Sequence, residues 1–136
     1  MKARASYEIK KWDEETYQQL SPEMKMTRAS VEFAMRGEIA CTANVQYLMF
    51  YKKFDPADPH KASAVYVGLM KMDGKVSGRS GSFALEDRGT YEAGLAKSSL
   101  DIIEGSGTGE LKGIKGTAAY HASQAGFNFE LDYSLP

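Results

Sequence analysis

Residues 72–83, MDGKVSGRSGSF, residues 88–94, RGTYEAG, and residues 105–120, GSGTGELKGIKGTAAY, decide how this chain folds. Ten of its thirteen glycines lie between Met72 and Tyr120, placed between strand-like runs. Glycine permits positive φ and close backbone approach, so the spacing predicts turns, bulges and bends in tightly wound antiparallel strands. The stretch reads as the second half of a closed β-barrel.

The flanking runs alternate with period two. Ala3, Ala5, Tyr7 and Ile9 alternate with Arg4, Ser6, Glu8 and Lys10, and Trp12 breaks the parity, which predicts a bulge or a strand leaving the barrel rim. Asp13-Glu14-Glu15 and Ser21-Pro22-Glu23 carry turn and cap chemistry and read as a loop with one helical turn. Ala29, Val31, Phe33 and Met35 form the apolar face of a second strand, closed by a turn at Arg36-Gly37. From Ile39 to Tyr51 one parity persists through Cys41, Ala43, Val45, Tyr47 and Met49. At about 3.3 Å per residue this third strand would run over about 40 Å, so it must coil around a barrel or bend at a bulge.

Two prolines in residues 55–59, DPADP, open a loop. A fourth strand follows over 62–71 with Val65, Val67 and Leu69 on one face. Asp73-Gly74 reads as a hairpin turn into a fifth strand over 75–86, with Gly81, Phe83 and Leu85 inward. A sixth strand lies within 89–104, its parity shifting around Lys97-Ser98-Ser99. After the glycine corner of 105–116 come strands over 117–121 and 127–133. In the last, Phe127, Phe129, Leu131 and Tyr133 alternate with Asn128, Glu130, Asp132 and Ser134. The pattern predicts an all-β protein, a single domain over 1–136 forming a closed eight-stranded antiparallel meander barrel, because closure removes both unpaired edges.

Seventeen basic against eighteen acidic residues leave no electrostatic basis for a nucleic-acid partner, which needs clustered Lys and Arg. No apolar run approaches the roughly 18 residues of a membrane-spanning helix, so no membrane partner is expected. Cys41 is alone, which excludes an intrachain disulfide. With no secretory apolar stretch after Met1, the expected location is cytoplasmic. Within IleAlaCysThrAla, Cys41 reads as a half-buried small hydrophobe rather than a reactive thiol.

Several segments carry a family resemblance: Trp12-Asp13-Glu14, Tyr47-Leu48-Met49 with Tyr51, residues 64–68 (AVYVG), residues 78–83 (GRSGSF) and residues 105–111 (GSGTGEL). They resemble a bacterial family of uncharacterised proteins with an allene-oxide-cyclase-like barrel, over about Tyr7 to Tyr133. The GSGTGEL corner followed by Gly116 is also similar to the Gly-Gly-Thr-Gly corner of allene oxide cyclases and dirigent proteins. The resemblance implies an eight-stranded barrel of the allene-oxide-cyclase or lipocalin kind, often self-associated, with a central cavity. It implies no particular activity.

A metal centre needs converging His, Cys, Asp or Glu ligands. His60, His121 and Cys41 are far apart in sequence, so no metal and no cofactor is expected, and His121 reads as a strand-end residue that could enter the lumen. The glycine corner lacks the Gly-x-x-x-x-Gly-Lys-Ser/Thr order of a phosphate loop and is a bent barrel corner in which Thr108 hydrogen-bonds. Glu14, Glu38, Glu86, Asp87 and Glu110 could serve as acids or bases, with a solvated strand-end place expected for each. Inward parity assigns Phe33, Tyr47, Phe83, Tyr91, Phe129 and Tyr133 to the lumen, and His121 is a further lumen candidate beside its surface or hydrogen-bonded reading. Eight strands leave an interior that side chains either fill or leave open for one small ligand.

Three functions follow. The first is binding of a small apolar or amphipathic molecule in the lumen; the second is a cyclase or isomerase in that cavity. The third is a ligand-free homo-oligomeric module packing through Leu48, Phe50, Met70 and Met72.

Overall fold

The computed structural model describes residues 1–58, 61–123 and 126–136. Eight antiparallel strands close into a barrel in simple sequence order. They are β1 (Lys2–Gln19), β2 (Lys25–Gly37), β3 (Ile39–Lys53), β4 (Ser63–Val76), β5 (Arg79–Glu92), β6 (Leu95–Ile102), β7 (Lys115–Ser123) and β8 (Gly126–Ser134). A single 3-10 turn at Gly109–Leu111 lies between β6 and β7. No helix is long and apolar enough to cross a membrane, a statement about helices and not about barrels.

Closure is made by β1 against β8, where Ala3 pairs with Leu131 and Ala5 with Phe129. Beyond Ser6 the two strands part, while β1 stays on β2 as far as Gln19 against Lys25. Of the polar segment read as a loop, Asp13 to Gln19 is therefore strand, held by the ladder rather than by an apolar face, and Ser21-Pro22-Glu23 makes the bend into β2. The ladder slips between Ile9 and Lys11, the bulge that the parity break at Trp12 predicts. β3 is unbroken over the long run read from the sequence, and its inward residues from Ala43 to Tyr51 are buried.

Two turns lie elsewhere than expected. β4 runs through Asp73-Gly74, and the hairpin is at Ser77-Gly78, with φ of 47° and 83°. Two consecutive positive φ values define the turn whose twist matches the strands it joins. This turn sets Met72 opposite Phe83 and Met70 opposite Leu85; a turn at Asp73-Gly74 would instead leave Met72 facing Lys75. Ala93-Gly94, with φ of 51° and 81°, makes the same turn and divides the expected sixth strand.

Parity in β4 is also the reverse of one expectation. Ala64, Tyr66, Met70 and Met72 are buried, whereas Val65, Val67 and Leu69 face out, Leu69 being 58% exposed. Met70 and Met72 are thus core residues, and the outer apolar patch consists of Leu48, Val65, Val67 and Leu69 with Phe50 half-buried beside them.

The glycine corner closes one end of the barrel. Thr108 donates its N–H to Ser82 O at 2.8 Å, and its hydroxyl meets Ser82 Oγ at 2.7 Å, which ties the corner to β5. The corner then inserts Leu111 and Ile114, both fully buried. With Phe83, Leu85, Phe129 and Leu131 they make a solid half-core, each large side chain contributing about 2–3 kcal/mol by burial.

Gly116 shows what closure costs in choice of residue: its φ is +146°, and a Cβ there would lie 2.0 Å from Asp132 O on β8. The backbone of β8 would have to move. Gly116→Ala should cost about 3 kcal/mol or more. Gly78→Ala, at φ +83° in open space, should cost only about 1 kcal/mol. Urea unfolding midpoints of the two variants check the contrast.

Candidate functional site: a half-open aromatic lumen over a buried acid

The other half of the barrel is open. A cavity of roughly 400 Å³ extends inward from the mouth where β1 leaves β8. Ile9, Trp12, Gly94, Ala122, Ser123 and Phe127 line its outer part. Tyr7, Phe33, Tyr47, Tyr66, Tyr91 and Tyr120 line the walls with Met49 and Ala96. The rings hold one another. Tyr7 packs edge-on against Phe33 at 5.0 Å between centroids and stacks on Phe127 at 5.4 Å, and Tyr47 meets Tyr66 edge-on at 4.9 Å.

Under these rings lies Asp87. It continues the inward parity of Phe83 and Leu85 along β5, and it is only 1% exposed. Tyr47 and Tyr120 each donate a hydroxyl to Asp87 Oδ2 at 3.0 Å, and the two hydroxyls also touch each other. Asp87 Oδ1 is buried without a hydrogen bond among the described residues. Beside this group Tyr66 Oη meets Ser98 Oγ at 2.5 Å and donates to Lys97 O at 3.3 Å.

Burial pushes the Asp87 carboxyl up to about 6, while the nearby hydroxyls of Ser98, Tyr120 and Tyr47 and the charge of Arg88 pull it the other way. The same burial raises Tyr7, Tyr47, Tyr66 and Tyr120 above the usual phenol value, so they stay protonated near neutral pH. Arg88 itself points outward, to Asp101 at 2.9 Å, and does not neutralise Asp87 by contact.

A second carboxylate braces the mouth. Glu14 accepts from Thr27 Oγ1 at 2.6 Å, Tyr51 Oη at 2.7 Å and Trp12 Nε1 at 2.9 Å. The last bond fixes the indole where it meets Tyr47 at 6.5 Å. Glu14 is exposed, so here the strand-end reading meets a working position at the lumen rim.

Of the residues that parity assigns to the lumen, Phe33, Tyr47 and Tyr91 line the cavity. Phe83, Phe129 and Tyr133 are buried but do not line it; the first two belong to the solid half-core. His121 is exposed on the outer face, because its neighbour Tyr120 takes the inward position, and only its carbonyl meets Tyr7 Oη, at 3.4 Å. His60 lies outside the described residues. Among the described residues no three His, Cys, Asp or Glu side chains group as metal ligands. Cys41 is half-buried, and burial pushes its thiol up to about 12, the behaviour of a small hydrophobe.

Fold and site together define a small closed β-barrel with a half-open aromatic lumen and a buried acid at its floor. Residues 3–133 match the family described as Protein of unknown function (DUF3224), and the chain belongs to that family. It is similar to the crystal structure of a protein with unknown function from the same family from Shewanella oneidensis MR-1. The TM-score is 0.80 and the identity 24%, over 100% of this chain and 98% of that one, a likeness of fold. No curated protein matches.

The raised carboxyl carries a stability consequence. Asp87 has an ordinary value of 3.8 when unfolded and about 6 when folded. The folded state therefore bears no penalty below about pH 4, loses stability as pH rises toward 6, and levels off above it. The loss is about 3 kcal/mol by linkage. Asp87→Asn removes this titration. Calorimetry from pH 4.5 to 7.5 should show the variant gaining stability relative to the parent as pH rises; a pH-independent difference would contradict the buried, uncompensated acid.

Proposed function

We propose that this protein binds a small apolar or amphipathic molecule in its lumen. The observation that carries the reading is the cavity itself. One half of the barrel is filled by Phe83, Leu85, Phe129, Leu131, Leu111 and Ile114, while the other half, of the same construction, keeps roughly 400 Å³ behind an open mouth. Preformed apolar cavities with a few convergent polar groups are the usual form of small-molecule sites. The resemblance of the glycine corner to allene oxide cyclases supports the same reading, since it implies a barrel with a central cavity.

A second reading, an isomerase or cyclase, is favoured by Asp87. A carboxyl titrating near 6 beneath an apolar pocket can gain and lose a proton close to neutral pH. The hydroxyls of Tyr47 and Tyr120 stand between it and the cavity and would relay that proton.

Thermal-shift screening with fatty acids, oxylipins, terpenoids and other apolar molecules tests the binding reading. A ligand at a hundred times its Kd should stabilise the fold by about 2.7 kcal/mol. Ala122→Trp, which places an indole in the mouth, should abolish that shift with the fold intact. No stabilisation by any member of the panel would contradict the reading.

A further inference from the structure

We propose that the lumen prefers a protonated amine carried on an aromatic or branched hydrocarbon body, with the ammonium seated over the Tyr47 and Tyr120 hydroxyls that screen Asp87. This rests on the lumen-binding reading and gives it a ligand class.

The first argument is the uncompensated charge. Asp87 is 1% exposed, and among the described residues no Lys, Arg or His side chain reaches it; Arg88 is turned to Asp101. A buried carboxylate with no cation beside it is an electrostatic vacancy for a positive ligand group.

The second is the direction of the hydrogen bonds. Tyr47 and Tyr120 have two hydroxyl hydrogens between them and three contacts to serve: two to Asp87 Oδ2 and one to each other. Tyr66 donates to Lys97 O, and Tyr7 donates to His121 O. The hydrogens of these four tyrosines are committed, and the Ser98 hydroxyl is engaged with Tyr66 Oη at 2.5 Å, so the tyrosine oxygens of the floor offer lone pairs to a ligand. A ligand carboxylate would meet oxygen lone pairs in front of a negative charge. An ammonium, with three donors, matches both features.

The third is the wall. Ring faces and edges surround the approach to the floor, and a cation over an aromatic face is attracted to the ring quadrupole, more strongly as water is excluded. The cavity of roughly 400 Å³ admits a bicyclic body.

The test uses three probes that share one indole body: tryptamine, tryptophol and indole-3-propionic acid, titrated into the full chain at pH 7.5 by calorimetry. Tryptamine should bind about tenfold or more tighter than tryptophol, the equivalent of about 1.4 kcal/mol, and the acid should bind weakest. In Asp87→Asn, tryptamine should lose that advantage while tryptophol keeps its affinity. A second measurement does not need the variant. At pH 4.5 the parent protein should show the same loss of preference, because Asp87 is then protonated. The other titratable groups facing it are Tyr7 on β1, Tyr47 on β3, Tyr66 on β4 and Tyr120 on β7, all raised and unchanged over this range. β6 presents only Ser98 and Leu100 to it, and Arg88 on its own strand faces out. Equal or tighter binding of tryptophol at pH 7.5, or a preference for tryptamine that survives both Asp87→Asn and pH 4.5, overturns the inference and leaves lumen binding standing. If the apolar panel binds and no indole probe does, the inference also falls. If neither binds, both readings fall.

Discussion

The ladder between Lys2–Ser6 of β1 and Asn128–Asp132 of β8 is the constraint on which the molecule depends. Once these segments pair, the sheet closes on itself there, and alternation drives every second side chain into an interior of fixed width. The ladder is also short. Because β1 turns away from β8 after Ser6, closure is complete at the end plugged by Leu111 and Ile114, and a mouth is left at the other. The same pairing thus produces a rigid half-core and an accessible lumen in one small domain.

The lumen is built from residues that could have made a second solid core and do not. Tyrosines take places that leucines could fill, and their hydroxyls converge on Asp87 and Ser98. A buried carboxylate with no cation beside it works against stability, and the solid half-core opposite offsets that cost through dense apolar burial. The two halves of the barrel therefore answer to different demands: one holds the fold, and the other holds charge and open volume beneath aromatic rings.

Much of the architecture was legible because period-two alternation is a direct consequence of a half-buried strand. It reveals Phe33, Tyr47 and Tyr91 as inward, and the break at Trp12 reveals the bulge. Legibility failed where both faces of a strand are apolar. In β4, Ala64, Tyr66, Met70 and Met72 compete with Val65, Val67 and Leu69, and only the register with β3 and β5 selects the first set. It failed at β1 beyond Asp13, where backbone pairing with β2 sustains a strand that has no apolar face. Asp87 was hidden between Glu86 and Arg88, since charge in sequence normally means exposure. The signal that finds it is the parity of Phe83 and Leu85 carried one step further. His121 was misplaced for the complementary reason: Tyr120 beside it fills the inward position.

The central claim is that closure leaves an open, apolar chamber above Asp87 rather than a continuous packed core. A crystal of the protein pressurised with xenon tests this most directly, because xenon occupies apolar voids and leaves packed interiors untouched. The account predicts xenon density bounded by Tyr7, Phe33, Tyr66 and Phe127, with none among Phe83, Phe129, Leu111 and Ile114. Side chains closing over Asp87 with no xenon in that half of the barrel would contradict it.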